Sequence, residues 1–162
     1  MPTVYLGLGS NINPQENLSR ALKDLESRFG KLESSSVYRS RAYGFDGDDF
    51  LNMVVRFETE LRPLEVHAET LRIQQAAGRN RTSRGYSSRT LDIDLLLFDD
   101  LVIDEPPIRV PRSDVLRFGF VLGPLAEIAP ELLHPETNLS LRKHWEQFDV
   151  AGHPITRESV IL

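Results

Sequence analysis

Apolar positions along the chain fall into short runs whose spacing alternates between two periods. Residues 4–8 form a run closed by Gly9, Ser10 and Asn11, a strand leading into a turn. The spacing then lengthens, and Leu18, Ala21, Leu22, Leu25 and Phe29 share one helical face. Asn13 stands where an N-cap belongs, Pro14 at the first helical position, Glu16 at capping-box spacing, and Gly30 where the helix should stop. A modest strand is expected over 34–43 around Val37 and Tyr38, then a loop rich in glycine and aspartate over 43–49. Period two returns at 50–59. Leu51, Met53, Val55 and Phe57 point one way, and Asn52, Arg56 and Glu58 the other, together with Phe50 and Val54. Pro63 opens a second helix through Leu64, Leu71 and Ile73 to Gly78, and a loop over 78–88 precedes a strand at 90–98. Asp99 and Asp100 turn the chain into Leu101, Val102 and Ile103. Beyond them Pro106, Pro107 and Pro111 impose extended or turn geometry. Short helices are expected near 113–118, 120–129 and 140–148, the last started by Ser140, and the final dozen residues read as a surface strand or tail.

Interspersed strands and helices with at least one hairpin indicate an α+β fold, with a mixed, largely antiparallel sheet and helices packed on its faces. The 162 residues suit one domain over 1–162, with 146–162 as a tail whose attachment the pattern leaves open. The net charge of −5 argues against a general nucleic-acid surface. The absence of cysteine removes disulfides, thiolate metal sites and cysteine nucleophiles together. No signal-peptide pattern opens the chain and no eighteen apolar residues run together, so a soluble cytoplasmic protein is expected, with no membrane partner.

Charge is unevenly placed. From Thr70 to Leu91 there is no acidic residue, while Arg72, Arg79, Arg81, Arg84 and Arg89 all fall there. The planar arginine fork suits phosphate, and the glycine, serine and threonine between these arginines suit a loop that closes on a ligand. A solvated basic loop would explain the charges equally well. Asp92 and Asp94 follow immediately, embedded among Leu91, Ile93 and residues 95–98. Residues i and i+2 of a strand share one face, roughly 6–7 Å apart. Two carboxylates so placed repel one another, and a cation relieves them more readily than an apolar surround would. Magnesium takes one or two carboxylates plus substrate phosphates, so the pair favours a metal–nucleotide site over a merely wetted strand face. No Walker A lysine accompanies the early glycine turn, and His67, His134, His144 and His153 show no mutual ligand spacing. Ala129-Pro130-Glu131 reads as a helix end, and Trp145 and Phe148 as core residues of the last helix.

Taken in order, these residues resemble the 6-hydroxymethyl-7,8-dihydropterin pyrophosphokinase family over roughly 3–135. The resemblance rests on Leu8-Gly9-Ser10-Asn11, Tyr38-Arg39, Phe50-Leu51-Asn52, Gly78-Arg79-x-Arg81, Arg89-Thr90-Leu91-Asp92-Ile93-Asp94, Val110-Pro111, Gly119-Phe120 and Pro124-Leu125-x-Glu127-Ile128-Ala129-Pro130. It implies a ferredoxin-like α/β/α fold and transfer of pyrophosphate from ATP to the pterin hydroxymethyl oxygen, releasing AMP, with two magnesium ions. Asp92 and Asp94 would then hold the metals, and Arg79 and Arg89 the phosphates. Asn52 would bond the pterin edge, Phe120 and an aromatic from the mobile loops would sandwich its ring, and Ser40, Arg41, Ala42, Tyr43, Gly44 and Phe50 would complete the pocket. Leu71, Gln74, Arg81, Leu95, Arg109, Arg112 and Ser113 would fall on the nucleotide side. The partners implied are small molecules, with no nucleic acid, and the chain is expected to be a monomer. Several positions depart from the family pattern: Arg112 and Ser113 replace histidine and tyrosine, Gln74 a glutamate, Ser87-Ser88 a Gly-Pro, and Tyr86 a tryptophan. Phe118 stands where arginine is common, and Phe50 where tyrosine is. A divergent relative that binds pterin or nucleotide with weak or altered transfer is the second reading.

Overall fold

The computed structural model describes residues 1–42, 47–78, 91–160 and 162. The elements follow in chain order. Strand β1 (Thr3–Ser10) leads into helix α1 (Pro14–Phe29), the short strands β2 (Glu33–Ser34) and β3 (Val37–Ser40), and the long strand β4 (Phe50–Glu58). Helix α2 (Pro63–Ala76), strand β5 (Asp92–Phe98) and the hairpin β6 (Ile103–Glu105) and β7 (Ile108–Val110) come next. Helices α3 (Asp114–Arg117), α4 (Gly119–Ile128) and α5 (Leu141–Gln147) precede strand β8 (Thr156–Glu158).

The main sheet runs β5-β1-β4-β3-β8, with β2 also on β4, and its described pairings are antiparallel. With α1 and α2 on one face and α3, α4 and α5 on the other, the result is the ferredoxin-like layered arrangement. Alternation assigns the faces. Val4, Leu6 and Leu8 of β1, and Leu51, Met53, Val55 and Phe57 of β4, pack with Leu18, Ala21, Leu25, Val66 and Ile73 of the first two helices. Tyr5, Val54, Leu96 and Leu97 pack instead against Val121, Leu122 and Leu125 of α4. The β4 alternation is therefore the one its sequence implies, with both faces covered.

Three local departures have simple causes. Asn13 precedes α1 as expected, but with φ 42 and no side-chain cap bond. A left-handed residue turns the strand end into the helix there, which asparagine tolerates. The neighbouring Asn17 instead donates from Nδ2 to Ile12 O at 2.6 Å. In α2, Leu64 and Leu71 are exposed, and the buried face is Val66, Thr70, Ile73 and Gln74. Thr70 and Gln74 can be buried because their polar atoms are bonded: Thr70 Oγ1 donates to His67 O and Gln74 Nε2 to Thr70 O. In β5 the pairing shifts between Tyr5 and Leu6, which face Leu97 and Leu95 and leave Leu96 as an extra residue. This bulge puts Leu96 and Leu97 together on the α4 side and returns Phe98 to the other core.

The tail is built in. Ser140 Oγ caps α5 by accepting from Lys143 N at 3.1 Å. Trp145 and Phe148 pack against the α4-side core. Strand β8 then lengthens the sheet beyond β3, and Arg39 bonds Glu158 at 2.6 Å. Bare α4 backbone permits this passage. A Cβ on Gly119 would lie 2.8 Å from His153 O, and one on Gly123 2.7 Å from Ile155 Cδ1. Among the described residues, no helix is long and apolar enough to cross a membrane.

Candidate active site

The sheet register lines up the residues that matter. Asp92 of β5 faces Gly9 of β1, Gly9 faces Asn52 of β4, and Asn52 faces Tyr38 of β3. One pair away, Asp94 faces Gly7, which faces Val54. Directly opposed residues of an antiparallel sheet project to the same side, so both carboxylates and Asn52 rise from the face that carries α4. Between them β1 presents only Gly7 and Gly9. A Cβ on Gly9 would stand 3.3 Å from Asn52 Oδ1, and one on Gly7 3.3 Å from Leu96 Cδ1. The glycine strip thus adds only backbone to this face, and the Leu96 and Asn52 side chains lean over it. Two inter-strand steps, about 9–10 Å, separate the carboxylates from Asn52.

The acidic end is electrostatically tense. Burial raises the Asp94 carboxyl pKa well above the ordinary range, and the Asp92 carboxylate beside it raises it further, while Arg112 pulls it down. Arg112 Nη2 lies 3.5 Å from Asp94, and its Nε lies 3.2 Å from Asp114. Among the described residues no three His, Cys, Asp or Glu converge. A cation here would take two carboxylate oxygens from the protein and its other ligands from phosphate and water, the donor set that suits magnesium. The residues present therefore fit that ion.

The backbone between the carboxylates is held from outside the sheet. Gln74 Oε1 accepts from Ile93 N at 3.2 Å, with Gln74 itself 2% exposed. This side chain, expected on the nucleotide side, is bonded to the edge of β5. Leu95 buries its side chain in the core shared with α1 and α2. Leu71 lies on the exposed part of α2 and Ser113 just ahead of α3, exposed. Arg109 donates from Nη1 to Pro111 O at 2.9 Å and reaches Glu136 at 3.4 Å.

At the other end, Asn52 is 5% exposed and donates from Nδ2 to Ser40 Oγ at 2.8 Å. Arg41 is exposed and Ala42 and Phe50 are half-buried. Phe120, half-buried on α4, stacks on Phe118 at 5.0 Å with an interplanar angle of 19°. Tyr43, Gly44, Arg79, Arg81 and Arg89 lie outside the described residues.

Two contributors were given no role from the chain, although Gly9 and Glu127 stand in its motifs. Gly7 and Gly9 form an alternate-glycine pattern inside a strand, a signal of close approach by a ligand or backbone. Glu127 of α4 accepts from Ser36 N and Oγ and from Tyr38 OH, at 2.8–3.1 Å. It pins β3, and with it Ser40, under the helix. Burial and this carboxylate push the Tyr38 hydroxyl up to about 12.

Comparison with known proteins agrees with this geometry. The family model for 7,8-dihydro-6-hydroxymethylpterin-pyrophosphokinase (HPPK) matches residues 5–130. The 2-amino-4-hydroxy-6-hydroxymethyldihydropteridine pyrophosphokinase of Haemophilus influenzae is 39% identical over 143 residues, spanning 86% of this chain and 89% of that protein. The Aquifex aeolicus protein of the same name is 37% identical over 139 residues, 83% of this chain and 85% of its own. Among solved structures, an HPPK-DHPS in complex with substrates superposes with a TM-score of 0.77 at 14% identity, over 93% of this chain and 44% of that one. Plasmodium falciparum HPPK-DHPS with pteroate gives 0.71 at 14% identity, over 90% and 42%. This chain therefore spans less than half of those structures, and they speak for the fold alone. Strands β2 to β7, most of β1 with Gly7 and Gly9, and the carboxylate pair fall within the matched segment, and the chain belongs to the 7,8-dihydro-6-hydroxymethylpterin-pyrophosphokinase family.

Proposed function

We propose that Asp92 and Asp94 hold an ATP–magnesium complex at one end of the glycine strip while Asn52 holds a pterin at the other. The activity is pyrophosphate transfer from ATP to 6-hydroxymethyl-7,8-dihydropterin, an ATP-dependent diphosphokinase step of folate biosynthesis. The observation that carries the site assignment is the cross-strand row Asp92–Gly9–Asn52. β1 puts no side chain of its own between the two ends, which leaves the pterin and the triphosphate to meet across its glycines.

The hydroxymethyl oxygen attacks the β-phosphorus and gives its proton up to solvent, the bond from that phosphorus to the αβ-bridging oxygen breaks, and AMP leaves with the electron pair. When bound, magnesium neutralises phosphate charge and orients the chain of phosphates for in-line displacement. The protein's own tasks are binding and orientation. Asn52, already bonded to Ser40 and so locked in rotamer, presents its amide to the pterin edge. Phe120 supplies a ring face for stacking. Ser40, Arg41, Ala42, Tyr43, Gly44 and Phe50 form the remaining wall. Arg79 and Arg89 follow the charge on the phosphates, and Arg81, Arg109, Ser113 and Leu71 border the nucleotide. Two metal ions, a monomeric state and a cytoplasmic location complete this reading.

Purified protein with ATP, magnesium and the hydroxymethyl pterin should release AMP and pterin diphosphate in equal amounts. Pterin binding without AMP would favour a binding protein, and ADP in place of AMP would indicate ordinary kinase chemistry. A parallel series with GTP measures how far Arg112 and Gln74 have altered the nucleotide contact.

A further inference from the structure

We propose that Arg112 is a resident cation at the carboxylate pair, competing with the divalent metal for Asp94. This inference rests on the metal reading of Asp92 and Asp94. Arg112 is placed by its backbone, whose N–H donates to Leu96 O at 2.9 Å and so clips residue 112 beside β5. Its guanidinium bridges two carboxylates, Asp94 at 3.5 Å and Asp114 at 3.2 Å. The bridge is lopsided: the nearer group, Asp114, belongs to α3, off the sheet, and the farther one is the metal-site residue. The Arg112 side chain is 39% exposed, while its Nε is buried without a hydrogen-bond partner among the described residues.

The physical consequence is a competition. Two carboxylates on one strand face repel unless a positive charge stands near them. In the metal-free protein Arg112 supplies part of that charge and stabilises the strand. A divalent ion arriving at Asp94 must displace the guanidinium and then tolerate a positive neighbour. Asp114 supplies the alternative anchor. Arg112 therefore weakens metal binding to the free protein and favours a metal that arrives already carried by phosphate, whose negative charge also attracts the displaced arginine.

Two substitutions move metal affinity in opposite directions. Arg112→Gln removes the competitor and should tighten Mn2+ binding to nucleotide-free protein by about tenfold, as expected for deleting one unit of like charge a few ångströms away. The same variant should melt at a lower temperature without metal and gain more from its addition. Asp114→Asn removes the alternative anchor, leaves Arg112 to Asp94, and should weaken Mn2+ binding several-fold. Mn2+ titration followed by electron paramagnetic resonance reads both without turnover, with Asp94→Asn as the reference for a lost site. Equal or weaker Mn2+ binding by Arg112→Gln, with wild type binding and Asp94→Asn not, overturns the competition and leaves the metal site standing. Absence of binding in all four proteins overturns the metal site, and this inference with it.

Discussion

The two edges of the main sheet are finished by different means. At the β3 edge the tail adds β8, so backbone pairs with backbone and an Arg39–Glu158 ion pair closes the seam. At the β5 edge, where the carboxylates stand, the N–H of Ile93 is met by a side chain, Gln74 of α2. A further strand there would crowd the face on which Asp92 and Asp94 project, whereas one glutamine satisfies the backbone from the side. The edge that serves a ligand is held by one glutamine side chain and one isolated backbone bond, from Arg112 N to Leu96 O, and the edge that serves stability is closed by a ladder. Each edge should therefore fail differently.

The largest effect belongs to the β5 side. Asp94→Ala should lower turnover by at least about a thousandfold, the scale expected when charge stabilisation of a transferring phosphoryl group is lost. The far-UV circular dichroism spectrum should stay that of wild type. Turnover close to wild type would place the metal elsewhere. Gln74→Leu comes next. It strips the acceptor from a buried N–H and should cost about 1–3 kcal/mol in denaturant unfolding, together with a higher magnesium requirement. Gln74→Glu, which keeps the acceptor, should recover most of the magnesium response.

On the β8 side the losses should be in stability with the chemistry spared. Gly119→Ala gains up to about 1 kcal/mol of helix propensity. Overpacking costs ~1–3 kcal/mol, and the neighbour here is the His153 carbonyl, backbone that cannot rotate away. Melting temperature should fall and amide protection in β8 should drop, while KM for ATP stays within twofold. Unchanged protection would show that the tail docks without this contact.

The smallest effect is a pH dependence in the turn between α4 and α5, beside Arg109 of β7. His134 Nδ1 accepts from Glu136 N and Thr137 N at 3.2 and 3.4 Å, and His144 stacks edge-on at 5.7 Å. Burial, then the His144 and Arg109 charges, lower its pKa below 6.5, although Glu136 opposes them. A lowered folded-state pKa means stability that is complete above 6.5 and declines as pH falls below it toward the folded value. Unfolding free energy measured from pH 7.5 to 5 should fall less steeply in His134→Phe than in wild type.

Much of this was readable from the chain. The β4 alternation assigned Leu51, Met53, Val55 and Phe57 to one core, because in a strand the direction of a side chain follows from its index alone. The Asp92/Asp94 pair was legible for the same reason: i and i+2 must share a face. Gly30 and Gly78 marked helix ends, and both have positive φ, at 87° and 89°. The α2 face was not legible. Leu64 and Leu71 look like core residues, but the helix is rotated to bury Thr70 and Gln74, whose partners lie in its own backbone and in β5. The Leu96 bulge was equally hidden, since four consecutive apolar residues at 95–98 carry no phase. His134 and His144, too far apart for ligand spacing, meet through a local turn.

By itself the sequence determined most of the elements, the faces of β4, the acidic pair and the family whose order of residues this chain shares. These depend on local geometry, which repeats with each residue. Tertiary structure alone decided what lay across from what: Gly9 between Asp92 and Asn52, Gln74 against Ile93, Arg112 between Asp94 and Asp114. Those neighbours lie up to some eighty positions apart in the chain. Only the register of packed strands and helices, set by burying two cores at once, could bring them within hydrogen-bonding or ion-pairing reach.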